Sequence, residues 1–353
     1  MKRALIAMSG GVDSSLAALL MKEKGYGCIG CTMKLYENED AGIEKTKTCC
    51  SLDDVEDARN VACLLDMPFY VFNFTERFRA QVIDRFVQSY EEGRTPNPCI
   101  DCNRYMKFDK LYERAKLMGC EYIVTGHYAR IEKEDGKFFL KKALDETKDQ
   151  TYVLYTLTQD QLAHTMFPLG DLTKRTVRNI AEKNGFINAN KPDSQDICFV
   201  PDGDYASVIE KYTGRICMPG NFVDTEGNIM GRHKGIIHYT LGQRKGLGIA
   251  AGKPVYVCEI RPQTREVVLG NPEDLMSRDV YVSDFNWISG NAPGGRIRCT
   301  AKVRYRQSEQ PAVLSVEGDI VHIVFDQPQR AITPGQAAVV YDGDVVLGGG
   351  TII

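Results

Sequence analysis

The chain has 353 residues, of which 43% are hydrophobic and 26% are charged, and its formal net charge at pH 7 is −3. These proportions exclude a disordered or collagen-like chain, and the length predicts roughly two to three domains. The slightly acidic balance argues provisionally against nucleic-acid binding, which usually requires a basic domain. No apolar run approaches the roughly 18–20 residues that span a bilayer, and Asp13 interrupts the first apolar stretch before it could form a signal-peptide core. We therefore expect an intracellular, cytoplasmic protein without a membrane segment.

Short strand-like runs alternate with helical patterns over the first 200 residues. Strands are predicted at 3–8, 28–33, 69–74 and 122–125, and helices at 14–24, 51–66, 76–92 and 107–118. The second helix opens on the capping pattern Ser51-x-x-Asp54. A hairpin that turns at Asp135-Gly136 and helices near 160–164 and 174–184 complete the region. Strands that alternate with helices predict an α/β domain with a parallel sheet covered on both faces.

The composition and periodicity change after residue 201: glycine and proline become frequent, and long helical patterns stop. Short strands are predicted at 279–283, 296–306, 312–316, 320–325, 337–341 and 345–347. Several strands at this spacing predict a small β-barrel or sandwich. We therefore divide the chain into a first domain over 1–201, a small central domain over 202–275 and a β-barrel over 276–353.

A loop rich in glycine and serine lies between the first strand and the first helix. Its residues are Ser9, Gly10, Gly11, Val12, Asp13, Ser14 and Ser15. Glycines let the backbone approach a ligand closely, and amides at a helix N-terminus can cradle phosphate. The loop lacks the Gly-Lys-[Ser/Thr] ending of the NTPase loop. It resembles the pyrophosphate-binding loop of the ATP-pyrophosphatase family, which implies ATP, Mg²⁺ and cleavage between the α and β phosphates.

Two cysteines lie in a proline-rich segment, residues 94–103, which we expect to be a loop just before a helix. They are Cys99 and Cys102, flanked by Arg94 and Arg104. Positive charge and a helix N-terminus lower the pKa of a thiol, so we expect a cysteine of this segment to have a lowered pKa and to be a better nucleophile. A purely structural Cys-x-x-Cys remains the alternative.

A third cysteine, Cys198, follows the polar segment 193–196. A zinc site would need a second paired ligand motif, whereas Cys49 and Cys50 are adjacent, so zinc is disfavoured. The other cysteines of the 12 in the chain are expected to be reduced and mostly buried, because the cytosol keeps thiols reduced.

Six short strings occur in one order along the chain: 9–15, 95–103, 125–128, 148–150, 193–199 and 240–248. Together they resemble the tRNA-specific 2-thiouridylase family, and the resemblance covers essentially the whole chain. Members of that family replace the C2 oxygen of the wobble uridine in certain tRNAs with sulfur. The resemblance implies an ATP-pyrophosphatase (adenine nucleotide alpha-hydrolase-like) domain, a small central domain and a C-terminal β-barrel. It also implies tRNA and a persulfide-donating sulfur-relay protein or cysteine desulfurase as partners.

The resemblance assigns roles to individual residues. Cys102 matches the catalytic nucleophile and Cys198 the persulfide carrier, so the reaction would end in a Cys102–Cys198 disulfide. The remaining matches are Met33 and Gly126 for ATP, Asn97, Pro98 and Cys99 for the target base, and Lys148, Asp149, Gln150, Arg304 and Tyr305 for tRNA.

One position departs from the family pattern, since many members carry Asp where this chain has Cys99. Asp101 is the nearest acid, but on a helix it faces a different direction from position 99. The change also creates a set of three thiols, Cys99, Cys102 and Cys198, that could hold an iron–sulfur cluster with one iron open to sulfide. We favour the persulfide route and keep the cluster as the alternative.

A run of basic residues without acids occupies 296–306, and its five cations fall on even positions: Arg296, Arg298, Lys302, Arg304 and Arg306. A strand would present them on one face, at a spacing suited to phosphates. The alternative is a solvated face paired with neighbouring acids. Weaker candidates for tRNA contact are Gln243, Arg244, Lys245, Lys107, Lys110 and Arg114.

Histidines contribute less to these interpretations. His127 could contact substrate or nucleotide, or be structural, and we treat His164, His233, His238 and His322 as structural. A remote alternative function is an adenylating synthetase or amidotransferase acting on a small molecule. A non-catalytic ATP- or RNA-binding protein is another, but it would leave Cys102 and Cys198 unexplained.

Overall fold

The computed structural model describes residues 1–36, 52–192, 197–200 and 202–353. The predicted cap residue Ser51, the pair Cys49 and Cys50, and the polar segment 193–196 lie outside the described residues.

The described strands fall into three sheets. In chain order they are β1 (Arg3–Ala7), β2 (Gly27–Lys34), β3 (Phe69–Asn73), β4 (Tyr122–Val124), β5 (Arg130–Glu134), β6 (Lys137–Lys141), β7 (Thr165–Met166), β8 (Gly220–Val223), β9 (Ile229–His233), β10 (Tyr256–Arg261), β11 (Glu266–Gly270), β12 (Met276–Trp287), β13 (Ile297–Lys302), β14 (Gln310–Glu317), β15 (Ile320–Arg330), β16 (Ala337–Asp342) and β17 (Val345–Ile352).

The described helices are concentrated in the first domain. In chain order they are α1 (Val12–Glu23), α2 (Leu52–Leu64), α3 (Thr75–Phe78), α4 (Asp84–Glu91), α5 (Pro98–Asp101), α6 (Leu111–Leu117), α7 (Gln159–Ala163), α8 (Lys174–Lys183) and α9 (Tyr205–Thr213). Two π-helical segments, Arg79–Ile83 and Cys102–Lys110, join α3 to α4 and α5 to α6. Short 3₁₀ turns occur at Glu146–Lys148, Thr151–Val153, Ile236–His238 and Pro272–Leu275.

The first sheet confirms the predicted parallel α/β architecture. Its five strands lie in the order β3-β2-β1-β4-β7 and pair in parallel throughout. The connections leave β1 toward β2 on one side, whereas β4 pairs on the other, so the strand order reverses between β1 and β4. Ligands of open α/β sheets bind beyond the carboxyl ends of the strands at such a reversal. The segments that follow β1 and β4 are therefore the place to look for a site.

The helix that carries the two cysteines begins earlier than its hydrophobic pattern indicates. The pattern predicts a start at residue 107, whereas α5 begins at Pro98 and the π-helical segment continues it. The Asn97 side chain accepts a hydrogen bond from the Cys99 amide and caps the helix. Asparagine at the N-cap followed by proline at the first helical position is a strong start signal. The prediction that Cys99 and Cys102 lie in a loop is therefore wrong.

The central region forms a small four-stranded sheet in the order β10-β11-β8-β9. β8 and β11 pair in parallel, and the other pairs are antiparallel. Phe222, Val257, Val267 and Leu269 are buried and join the core cluster of the first domain. The region is thus packed onto the first domain rather than tethered to it.

The C-terminal strands form the predicted barrel. Six strands follow one another in the order β12-β15-β14-β13-β16-β17, and pairing of β12 with β17 closes the cylinder. Alternate residues fill the interior, among them Leu314, Ile323 and Phe325. Strand β13 is shorter than predicted, because the chain turns after Lys302 and the Gln307 amide donates to the Arg304 carbonyl.

The predicted hairpin also has an unexpected partner. β5 and β6 are joined by a turn at Asp135 and Gly136, whose φ angles are 47° and 81°, as a type I′ turn requires. β6 then pairs with β17 of the barrel, and Arg130 Nη2 lies 2.8 Å from Asp344 Oδ2. The hairpin therefore attaches the barrel to the first domain. Within the part of the chain that is described, no helix has the length and apolarity needed to cross a membrane.

Candidate active site

The loop after β1 is held in a fixed shape by its own hydroxyl groups. Ser14 Oγ accepts a hydrogen bond from the Ser9 amide at 3.1 Å, and Ser15 Oγ donates to the Gly11 carbonyl at 3.0 Å. Gly10 has a φ of +75°, and a Cβ there would lie 2.4 Å from the Asp54 carbonyl oxygen. Only glycine is therefore compatible with this approach of loop and helix α2.

Three residues that the sequence did not single out surround this loop. Asn188 Nδ2 donates to the Gly10 carbonyl and to Ser15 Oγ, both at 2.9 Å. Lys174 Nζ lies 2.7 and 2.8 Å from the two carboxylate oxygens of Asp13. Lys191 Nζ pairs with Asp54 Oδ1 at 2.6 Å and with Asp57 Oδ2 at 2.7 Å. These cations lie more than a hundred positions away from their partners in sequence, so no local pattern could identify them.

Gly126 follows β4 and packs directly against the loop. A Cβ at Gly126 would lie 2.7 Å from the Ser14 amide nitrogen, at the first turn of α1. Met33, near the end of β2, packs half-buried against the hydrophobic core of the domain. The fold thus brings the predicted ATP residues of the loop and Gly126 together at the reversal point of the sheet.

The environment of Cys102 differs from the sequence-based expectation. Burial raises the pKa of the Cys102 thiol to about 11, Lys107 lowers it, and Cys99 and Asp101 raise it further. The expected lowering by Arg94 and Arg104 is wrong. Arg94 lies 3.5 Å from Glu92, and the Arg104 guanidinium lies 5.4 Å from the centre of the Tyr105 ring.

Asp101, the acid next to Cys102, is paired with Arg85. Its Oδ2 lies 3.5 Å from Arg85 Nε, and burial raises the pKa of its carboxyl. The side chain of Cys99, by contrast, is exposed. Asp101 therefore does not occupy the place of the acid that many family members carry at position 99.

Cys198 contacts Tyr36, which lies two residues after the end of β2. The Tyr36 hydroxyl donates to the Cys198 carbonyl at 2.7 Å. The adjacent Phe199 is buried edge-on against the rings of Phe78 and Phe86. Cys102 and Cys198 are both half-buried and pack against the same core cluster. Cys102 carries a free thiol.

The three cysteines do not form the ligand set expected of a cluster. Cys99, Cys102 and Cys198 are all described, and across the described ranges no group of three or more His, Cys, Asp or Glu side chains could hold a metal ion. Cys99 is exposed, whereas Cys102 lies in a half-buried position on the same helix. The described residues thus assemble no ligand set for an iron–sulfur cluster, and we derive no step through one.

Two side chains of the segment Lys148–Gln150 make hydrogen bonds that fix the local backbone. Asp149 Oδ1 accepts from the Ala143 amide at 3.0 Å, and its Oδ2 accepts from Thr151 Oγ1 at 2.6 Å. Gln150 Oε1 accepts from the Tyr128 amide at 2.9 Å. Gln150 therefore holds the backbone at Tyr128, and Asp149 holds Ala143 and Thr151.

The barrel contributes a turn to this site. Arg304 Nη2 donates to the Ala331 carbonyl at 2.6 Å and to Thr333 Oγ1 at 3.0 Å. Tyr305, on the same turn, is 39% exposed. Burial raises the pKa of the Tyr305 hydroxyl, as do the nearby charges of Asp149 and Cys99. The turn thus lies close to both the Cys99 helix and the 148–150 segment.

A second barrel loop holds the chain that leads to the cysteines. The Thr95 amide donates to the Pro334 carbonyl at 2.9 Å, and Gln336 Nε2 donates to the Thr95 carbonyl at 2.7 Å. The sequence did not single out Gln336. The site is therefore built from the first domain and the barrel together.

The expected single face of five cations is not present. β13 ends at Lys302, so Arg304 and Arg306 lie on the turn that follows. Arg298 Nη1 lies 2.7 Å from Asp326 Oδ1, which is the alternative of a solvated face paired with a neighbouring acid. Of the weaker candidates, Lys110 Nζ lies 2.7 Å from Glu113 Oε2 and Lys107 contacts His127.

Each histidine side chain contacts other residues of the protein. His127 is buried between the rings of Phe108 and Phe167. The others have partners on nearby elements. They are His164 with Asp160, His233 with the Arg265 carbonyl, His238 with Glu210 and His322 with Asp279.

Comparison with known proteins agrees with this architecture. Three family models match the chain in succession: a tRNA methyl transferase HUP domain over residues 2–202, a tRNA methyl transferase PRC-barrel domain over 206–271 and an aminomethyltransferase β-barrel domain over 277–352. The chain is 52% identical to the tRNA-specific 2-thiouridylase MnmA of Clostridioides difficile, over 99% of this chain and 98% of that protein. It is 53% identical to MnmA of Lachnoclostridium phytofermentans, over the full length of both.

Among solved structures, a 4-thiouridine synthetase in complex with RNA and bound ATP matches 60% of this chain and 50% of its own, at 17% identity and a TM-score of 0.37. The family models and the full-length relatives together define the class as tRNA sulfurtransferases with a HUP domain. Within that class, the chain belongs to the tRNA-specific 2-thiouridylase family.

Proposed function

We propose that the protein uses ATP to replace the C2 oxygen of the wobble uridine of tRNA with sulfur. The observation that carries the proposal is the chain of contacts from the loop after β1 to the cysteine helix. Gly126 packs on the loop, and its neighbour His127 lies 3.4 Å from Lys107, five residues beyond Cys102. This chain of contacts links the loop, where ATP would bind, to the helical stretch that carries Cys102.

ATP would bind at the loop with its phosphates on the amides of residues 9–15 and beside Gly126. The positive end of α1 favours negative charge there. The uridine O2 would attack the α-phosphorus, which releases pyrophosphate and converts O2 into part of an AMP leaving group. A base in a single-stranded loop can be turned outward into such a site at less cost than a base in a duplex.

Magnesium would be held mainly by the ATP phosphates and water. The loop offers one carboxylate, Asp13, and Lys174 lies within hydrogen-bonding distance of both of its oxygens. Both oxygens are therefore engaged by an ammonium, so the ion would take its ligands from the phosphates and from water, which supply most ligands of Mg²⁺ in nucleotide sites. Bound there, the ion would neutralise charge on the departing pyrophosphate.

The cysteines would then deliver sulfur. The terminal sulfur of a Cys198 persulfide attacks C2, and AMP departs with the former O2. The Cys102 thiolate attacks the Cys198 Sγ, so the S–S bond breaks and its electron pair remains on the sulfur now bound to C2. The products are 2-thiouridine and a Cys102–Cys198 disulfide, which an external thiol reduces. A variant of the sequence releases hydrosulfide before C2 is attacked.

A sulfur-relay protein or cysteine desulfurase would charge Cys198, and tRNA would contact Asn97–Cys99, Lys148–Gln150 and the Arg304-Tyr305 turn. The test is incubation with ATP, a persulfide donor and tRNA transcribed without modifications, followed by nucleoside mass spectrometry. Formation of 2-thiouridine that depends on ATP supports the proposal. Thiolation at C4, or none with a charged donor and intact tRNA, would refute it.

Tyr305→Ala is expected to weaken tRNA binding about tenfold, because stacking of a base on an aromatic ring contributes ~1–3 kcal/mol. Binding would be measured by fluorescence anisotropy at one fixed salt concentration, since affinity for nucleic acid varies with salt. Tyr281→Ala is the matched control: Tyr281 is 47% exposed on the barrel strand β12, where it stacks on His322. Equal losses in both variants would remove the assigned role of the Tyr305 turn.

A further inference from the structure

Cys102 lies in surroundings that disfavour the reactive form of a thiol. Burial raises its pKa to about 11, although Lys107 lowers it. Cys99 and Asp101, on the same helical stretch, raise the pKa further. The thiolate, not the thiol, is the nucleophile, so the site needs a group that stabilises negative charge on this sulfur.

One cation, Lys107, lowers the pKa of this thiol and lies five residues along the same π-helical segment. In an α-helix, side chains five residues apart point about 140° away from each other at 3.6 residues per turn. A π-helix closes i→i+5 hydrogen bonds instead, and here the Leu111 amide donates to the Met106 carbonyl. The π-helical segment Cys102–Lys110 therefore brings Lys107 to the face that carries Cys102.

A buried histidine fixes the position of that cation. His127 Nδ1 lies 2.7 Å from Thr125 Oγ1, and its Nε2 lies 3.4 Å from Lys107 Nζ. Because an ammonium only donates, Nε2 must be the acceptor and Nδ1 carries the proton that Thr125 accepts. Burial and the Lys107 charge hold the pKa of His127 well below its usual value. His127 therefore holds the ammonium without cancelling its charge.

We propose that Lys107, held by neutral His127, is the positioning residue that stabilises the thiolate of Cys102. The proton of the thiol leaves to solvent and the charge of Lys107 is unchanged. The inference deepens the proposed function, since it concerns the nucleophile of that reaction. The π-helical segment is then a functional feature: it sets the register between sulfur and cation.

The test measures Cys102 alone, without thiolation. The full-length protein is alkylated with iodoacetamide between pH 6 and 11, and the Cys102 peptide is quantified by mass spectrometry. An opposite charge close to an ionisable group shifts its pKa by about 1–3 units. Lys107→Met is therefore expected to slow Cys102 alkylation about tenfold at each pH up to about 10, because the pKa of the parent thiol lies near 11 and rises in the variant. Lys107→Arg should stay within about threefold of the parent, because it keeps the charge.

Exposed Cys63 on α2 serves as an internal control, and its alkylation should not change. If Lys107→Met does not fold, Lys107→Gln gives the same readout with a polar side chain of similar length. An unchanged Cys102 profile in a folded, uncharged variant overturns the inference. Failure of the proposed function would be seen separately, as retained 2-thiouridine formation in Cys102→Ser despite a normal Lys107 effect on alkylation.

Discussion

Cys198→Ser is expected to abolish 2-thiouridine formation, by at least about a thousandfold, while tRNA-dependent ATP–pyrophosphate exchange continues. The serine hydroxyl cannot carry a persulfide, and loss of a covalent nucleophile generally costs several orders of magnitude. Adenylation should survive, because Cys198 lies beyond β2 and not in the loop that follows β1. Thiolation is measured by nucleoside mass spectrometry and adenylation by incorporation of labelled pyrophosphate into ATP.

Cys102→Ser should also prevent thiolation, but the protein should retain a persulfide. Cys198 should still accept a persulfide from the donor, which labelled sulfur would reveal as a protein-bound sulfur that persists. Cys63→Ser is the matched control, because Cys63 is exposed on α2 and should leave both assays unchanged. Wild-type thiolation in either site variant would contradict the assigned roles.

Gly126→Ala is expected to lower kcat/KM for ATP about a hundredfold. The added Cβ would lie 2.7 Å from the Ser14 amide nitrogen and 2.8 Å from the Asp13 carbonyl carbon. Both are backbone atoms, so the first turn of α1 must move. Displacements of about 1 Å at a reacting centre can cost 10²-fold. Pyrophosphate exchange at varied ATP concentrations would report the change.

Gly294→Ala is the matched control for this substitution. A Cβ at Gly294 meets no atom within 4 Å, so its kinetics should equal those of the parent. Thermal unfolding of both variants would separate a local shift of the loop from general loss of structure. Normal ATP kinetics in Gly126→Ala would mean that the nucleotide does not bind where β1 and β4 end.

The local sequence was sufficient to predict those elements that form through interactions between residues close together in the chain. The alternation of apolar runs and helical spacing predicted the parallel domain, and Asp135-Gly136 predicted the turn of the β5–β6 hairpin. The loop after β1 was identified because its shape depends on its own residues: Gly10 permits the close approach to α2, and the serine hydroxyls form hydrogen bonds within the loop. The barrel strands were identified by their alternation, which depends on burial of one face.

Predictions about charge were wrong where the third dimension decided the partners. Arg298 was expected to face phosphate, yet Asp326, 28 positions along the chain, holds it. A cysteine of the 94–103 segment was expected to have a lowered pKa, yet at Cys102 burial outweighs the charge of Lys107. Charge along a chain says little about which charges meet, because an ion pair depends on distance and desolvation.

The sequence by itself determined the class of fold, the position of the glycine- and serine-rich loop after β1, and the family, because each depends on short strings of residues with a local physical requirement. The tertiary structure alone decided how the parts meet. It attached the β5–β6 hairpin to β17, set Gln336 against Thr95 and brought Lys107 to His127 through a π-helical segment. These contacts join residues that are distant in the chain or that depend on an irregular helix, and neither leaves a periodic pattern that a sequence can show.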